Sequence, residues 1–201
     1  MSYVEPPPRM PLVFRLLLGM VERRMGKKLE ANRILTWYPK ALVGSGVMEA
    51  LVAHDEREVP RRLLTLIRVY TSFRVSCPFC IDLNAREFQH KGISDEEILA
   101  LQDAVRRDST SGLDFVASLS PRDRAALRYA ECICKTPLAF SGTVLEDMKR
   151  HFSERGIVIV ASTCAQVNFW ARLIQSLGVP PAGFSAECSI LNLEAYRTLR
   201  P

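Results

Sequence analysis

The chain has 201 residues, of which 48% are hydrophobic, and a mean hydropathy near zero, which is enough to bury one sizeable core. Its net charge of +5 is spread along the sequence without aromatic–basic interleaving, so no nucleic-acid partner is expected. Six cysteines are too few for a disulfide scaffold in a chain of this size. The apolar run Leu16-Leu17-Leu18 is preceded by Arg15 and followed by no small-residue cleavage site, so it does not read as a secretory signal. No apolar stretch reads as the roughly 18 residues that a membrane span requires. The expectation is a cytoplasmic, reducing setting with no membrane partner.

Pro6-Pro7-Pro8 marks an extended arm at the start. Two helices follow, one around Leu12–Met25 and one around Ala31–Ala53, the second interrupted near Pro39 and Gly44-Ser45-Gly46. Pro60 opens a helix through Leu63, Leu64, Leu66, Ile67, Val69, Tyr70 and Phe73, whose wide apolar face predicts near-complete burial. Next comes Cys77-Pro78-Phe79-Cys80, read as the first turn of a helix capped by Ser76, continuing through Phe88 and stopping near Lys91-Gly92. Ser94-Asp95-Glu96-Glu97 is a capping box for a helix to about Arg106. A polar loop from Arg107 to Gly112 separates the halves.

Ser120-Pro121-Arg122-Asp123 opens the next helix, which ends before Pro137. Thr143-Val144-Leu145-Glu146 reads as another capping box. Ser153 caps a long helix to Leu177, ended by Gly178-Val179-Pro180-Pro181. A short amphipathic helix around Ile190–Leu199 closes the chain. The β-branched run Ile157-Val158-Ile159-Val160 continues into a helical period, and strand alternation is nearly absent, so the fold class is all-α. Residues 1–59 are expected to form a helical extension packed on a core of residues 60–201, together one compact domain.

Two thiols two residues apart can close and reopen a small disulfide, and the positive end of a helix favours thiolate at Cys77. Two alternatives fail on spacing and context. Zinc needs four ligands, but Cys132 and Cys134 are spaced by one, and His90 lies ten residues beyond Cys80. A glutaredoxin-type site needs a preceding buried strand, and here a helix precedes the pair. A third reading, two buried thiols acting as small core residues, stays open for this pair and is the expectation for Cys132, Cys134, Cys164 and Cys188.

Leu63 to Leu101, with the cysteine pair in mid-segment and Gly92-Ile93-Ser94-Asp95-Glu96-Glu97-Ile98 after it, resembles the carboxymuconolactone decarboxylase/alkyl hydroperoxidase D-like (AhpD-like) family. So do Leu119 to Ala130 and Asn168-Phe169-Trp170-Ala171-Arg172-Leu173, and the resemblance spans about residues 60 to 184. It implies an AhpD-like helical fold and a dithiol peroxidase in which Cys80 attacks a small hydroperoxide and Cys77 resolves the product. It also implies an external dithiol electron donor, a homo-oligomer (dimer, trimer or hexamer) and no cofactor or metal. The family's relay Glu and His fall at Thr65 and Asn84, neither of which is a base near neutral pH. Asn84 lies one turn beyond Cys80, where it could act as a neighbouring polar group.

Other candidates are less tied to the pattern. Asp82 reads as a solvated helix-surface acid and Arg74 as a solvent-facing cation within reach of the thiols. Glu131 cannot be placed from sequence. His90 reads as a surface residue at a helix end, His54 and His151 have no motif around them, and Phe169 and Trp170 read as core or interface. Two further functions remain: a lactone decarboxylase using Arg68, Arg74 or Arg172, and a non-catalytic oligomer.

Overall fold

The computed structural model describes residues 2–52, 57–86 and 88–196. Among these, the chain forms nine α-helices and no strand: α1 (Leu12–Met25), α2 (Glu30–Ile34), α3 (Pro39–Leu51), α4 (Arg61–Arg74), α5 (Pro78–Asn84), α6 (Asp95–Arg106), α7 (Pro121–Cys134), α8 (Gly142–His151) and α9 (Glu154–Ser176). The all-α expectation holds.

α4 is the axis of the molecule. It packs against α5, α6, α7 and α9, and every residue from Leu63 to Phe73 except Arg68 is buried. Leu66, Ile67 and Phe73 share one apolar core with Ile98 and Leu101 of α6, Ala126 and Leu127 of α7, and Val160 and Cys164 of α9. α9 is by length and composition apolar enough to cross a membrane, contrary to the expectation that no stretch qualifies. Val160, Val167, Ala171 and Ile174 of this helix are buried against the rest of the fold, while Val158 and Phe169 are exposed.

Two capping boxes are formed, one where the sequence predicts a box (Ser94) and one where it predicts an N-cap (Ser120). Ser94 Oγ accepts from the Glu97 amide (3.2 Å) while Glu97 accepts from the Ser94 amide (2.8 Å). At the start of α7, Ser120 and Asp123 make the same reciprocal pair at 3.1 and 3.0 Å. Arg62, on the first turn of α4, joins the two boxes. It donates to the Glu97 carboxylate, to Asp123 Oδ2 (3.2 Å) and to the Gly92 carbonyl (2.9 Å). Gly92 sits at φ 74°, the left-handed conformation that ends the preceding turn.

Other boundaries differ from the sequence reading. Gly44 and Gly46 do not interrupt α3, because Pro39 starts it and the buried Leu42 and Ser45 hold it to the core. α8 starts from Ser141, not Thr143, and the Ser141 hydroxyl accepts from the Val144 amide. α5 stops at Asn84, so the cysteine helix is much shorter than predicted. The expected last helix is a single 3-10 turn, Leu193–Tyr196, with the Tyr196 ring stacked on Phe73 at 5.5 Å; residues 197–201 lie outside the described residues.

The segment after α9 is held by an anion that the sequence reading left in solvent. Asp82 is fully buried and accepts from the Gly183 amide (2.7 Å), the Ser185 amide (2.8 Å) and the Ser185 hydroxyl (2.8 Å). The N-terminal arm is tied down nearby: the Tyr3 amide donates to the Leu177 carbonyl (2.9 Å), and the Tyr3 ring lies against Gly178 where no side chain would fit.

Arg62→Met leaves the Glu97 carboxylate, only 1% exposed, without its cation, and a loss of roughly 3–5 kcal/mol is expected in urea unfolding. Arg62→Lys keeps the charge and is expected to lose less. Asp82→Ala removes the acceptor of three donors and is expected to cost about 3 kcal/mol, with faster amide exchange at Gly183 and Ser185.

Candidate functional site

The turn between α4 and α5 places the cysteine pair. Ser76 takes the left-handed conformation (φ 48°), its amide donating to the Phe73 carbonyl (3.0 Å) and the Cys77 amide to the Ser72 carbonyl (3.2 Å). This is a Schellman ending of α4, with Ser where Gly is usual. Ser76 is therefore not the N-cap of α5. Cys77 is: its sulfur accepts from the Cys80 amide at 3.3 Å, with Pro78 as the first helical residue. The sulfurs of Cys77 and Cys80 lie 2.6 Å apart.

Both are buried, Cys77 at 0% and Cys80 at 3% exposure. They lie in an apolar cluster with Ala31 and Ile34 of α2, Phe79 of α5, Ala171 and Ile174 of α9, and Val179. Burial sets the acid strength of Cys80: loss of solvent pushes its thiol well above the ordinary value, and the neighbouring Cys77 pushes the same way. The Arg68 guanidinium pulls it down, and the Glu49 carboxylate opposes Arg68.

Neither relay position points a base at the thiols. The Thr65 hydroxyl donates to the Arg61 carbonyl one turn back (2.9 Å). Asn84 is clamped: its Oδ1 accepts from Arg68 Nε (3.0 Å) and its Nδ2 donates to Ser72 Oγ (2.9 Å). Arg68 in turn pairs with Glu49 (2.9 Å). The second oxygen of Glu49 accepts from Gln166 (2.9 Å) and from the Trp170 indole (3.0 Å). Trp170 is thus a hydrogen-bond donor to this network as well as a packing residue. Sequence reasoning missed Glu49. The available signal was that it is the lone acid of a mostly apolar, glycine-containing helix.

Arg74 and Glu131 belong to a different network. Arg74 pairs with Asp108 (2.8 Å) and Glu131 (2.8 Å), and Glu131 also accepts from the Tyr70 hydroxyl (2.7 Å). Arg74 is therefore neither solvent-facing nor spare for a thiolate. The Tyr70 hydroxyl is pushed up, first by burial and then by the carboxylate it donates to. Cys164 is buried and Cys134 half-buried near these groups, and desolvation raises the Cys134 thiol to about 11. Cys132 is likewise buried and raised, and Cys188 is half-buried. His90 is exposed on a 3-10 turn, His151 lies 3.7 Å from Asp147, and His54 falls outside the described residues. Among the described residues no three His, Cys, Asp or Glu side chains gather as metal ligands.

No protein-family model matches the chain. Protein YnjA of Escherichia coli (strain K12), itself uncharacterized, is 23% identical over 179 residues, covering 87% of this chain and 91% of YnjA. An alkylhydroperoxidase AhpD core, an uncharacterized peroxidase-related protein from Ralstonia eutropha, matches with a TM-score of 0.67 and 19% identity over 90% of this chain and 92% of that one. The debrominase Bmp8, in complex with 2,3,4-tribromopyrrole, matches with a TM-score of 0.70 and 15% identity over 98% and 97% of the two chains. The chain has the all-helical AhpD-like fold, the one that its cysteine segment and the helices downstream resemble.

Proposed function

We propose that this protein is an AhpD-like thiol oxidoreductase that reduces a small hydroperoxide through Cys80 and Cys77. The observation that carries the reading is the sulfur pair: two cysteine sulfurs 2.6 Å apart at the start of a helix, enclosed by apolar residues. The named neighbours of this fold differ in chemistry, so the fold alone does not choose the reaction.

The steps balance without a cofactor. The Cys80 thiolate attacks the terminal peroxide oxygen, the O–O bond breaks, and the departing alkoxide takes a proton to leave as an alcohol. Cys80 is then a sulfenic acid. The Cys77 sulfur attacks it, forming the disulfide and releasing water. An external dithiol returns both sulfurs to thiols and is itself oxidised to a disulfide. The apolar surroundings favour a small, uncharged organic hydroperoxide over a charged one. A cytoplasmic setting, where dithiol donors are kept reduced, and a homo-oligomer belong to the same proposal.

The decarboxylase alternative is less well supported. It needs a cation free to hold the substrate carboxylate. Arg68 and Arg74 are each matched by carboxylates, and Arg172 lies on the exposed face of α9.

Cys80→Ser is expected to abolish consumption of an organic hydroperoxide in the presence of a dithiol donor. Cys77→Ser is expected to leave a single turnover that stalls at the sulfenic acid. Peptide mapping of the wild type after mild oxidation should find a disulfide joining Cys77 to Cys80. Full turnover by Cys80→Ser would refute this mechanism. Because burial raises the Cys80 thiol, its thiolate is scarce at neutral pH, and turnover is expected to climb steadily from pH 7 to above pH 9.

A further inference from the structure

In the proposed dithiol cycle, Cys80 must ionise in a pocket that disfavours charge, with no relay histidine beside it. Arg68 is a cation bonded to the cysteine helix itself, and its position is fixed from two sides. Its Nε donates to Asn84 Oδ1 on the cysteine helix (3.0 Å), and Asn84 is itself locked by its bond to Ser72 (2.9 Å). Its Nη2 donates to Glu49 Oε1 on α3 (2.9 Å). Glu49 is fixed in turn by Gln166 and Trp170 of α9, so that four helices hold one guanidinium.

We propose that Arg68 and Glu49 are opposed positioning residues for the Cys80 thiol: Arg68 serves as the counter-cation of the thiolate, and Glu49, supplied by the N-terminal helix α3, restrains that cation. Among the described residues, the side chains hydrogen-bonded to the pair are the uncharged Asn84 of α5 and Gln166 and Trp170 of α9. Arg68 and Glu49 are therefore the charges that decide the balance. The directions agree with this: Arg68 favours the Cys80 thiolate and Glu49 disfavours it. Arg68 accepts no proton, because a guanidinium stays charged throughout the working range. The Cys80 proton goes to solvent, and the site needs no titrating base. This gives Asn84 a defined task at the position where the family pattern has His. It orients a permanent cation instead of moving a proton.

The proposal rests on Cys80 being the reactive thiol, but its test does not require peroxide turnover. Fully reduced protein is treated with iodoacetamide over a range of pH, and alkylation of the Cys80 peptide is followed by mass spectrometry. At pH 8, Glu49→Gln is expected to react about three- to tenfold faster than wild type, since an uncompensated Arg68 favours the thiolate more strongly. Arg68→Met is expected to react slower by a similar factor, and Arg68→Lys to stay close to wild type. A merely structural role would move both variants in the same direction or leave the profile in place. Either result overturns the proposal. Glu49→Gln keeps the shape of the side chain, so it decides the matter alone if Arg68→Met does not fold. If the opposed shifts appear but no protein consumes hydroperoxide, the charge control stands and the peroxidase reading falls. If wild type consumes hydroperoxide and the shifts are absent, the peroxidase reading stands and the charge control falls.

Discussion

The constraint on which the structure depends is the burial of α4. A helix covered by α5, α6, α7 and α9 has almost no face left for water. Any polar side chain it carries must find a partner inside the protein or pay the desolvation cost. α4 meets this with three separate exits. Arg62 leaves at the first turn and enters the capping boxes of α6 and α7. Arg68 leaves at mid-helix toward Glu49 and Asn84. Tyr70 and Arg74 leave near the end and meet at Glu131. Each exit fastens a different neighbour to the axis, so the polar residues of α4 specify which helices surround it, and the apolar ones supply the driving force.

The same burial decides the chemistry available to the cysteine pair. Two influences oppose each other there. The start of α5 offers amide donors, and Cys77 uses one of them, from Cys80. Enclosure by Ile34, Phe79, Ala171 and Ile174 removes the water that would stabilise a thiolate. For Cys80 the second influence is larger. α5 has only seven residues and its first turn is already occupied by a sulfur cap, so it offers less to an anion than a long helix with free amides. A dithiol at a helix N-terminus is not reactive by position alone.

Much of the fold was legible because its boundaries are written in local chemistry. Ser94 with Glu97, Ser120 with Asp123, and Ser153 all cap the helices that their sequence contexts announce. Pro39, Pro60 and Pro121 start helices where the missing amide costs nothing. The misreadings have physical causes. Ser76 has the composition of an N-cap, but only three residues separate the two helices, and closing α4 takes precedence over opening α5. Thr143 has the spacing of a capping box, yet the helix already begins at Gly142, with Ser141 accepting from the Val144 amide. Asp82 looks solvated on a helical wheel because the segment that covers it, around Gly183 to Ser185, is a hundred residues away in sequence. Glu49 was missed for the same reason: its partners lie on α4 and α9, and its being the lone acid of α3 does not by itself say what it pairs with.

A permanent cation and a titrating base solve different halves of the problem of ionising a buried thiol. A histidine–glutamate relay removes the proton and delivers it again, and such help is worth roughly 10²–10⁴-fold. A guanidinium moves no proton but stabilises the anion continuously, and its charge does not vary with pH. The cost falls on the protein interior, because a half-buried arginine must itself be neutralised. Glu49 does this for Arg68, with Gln166 and Trp170 holding the carboxylate in place. The neutralising charge then acts on Cys80 with the wrong sign. An arrangement of this kind gives up thiolate population in exchange for a fixed geometry. That follows from placing the site against α4, where an unpaired cation would be more costly than a less acidic thiol.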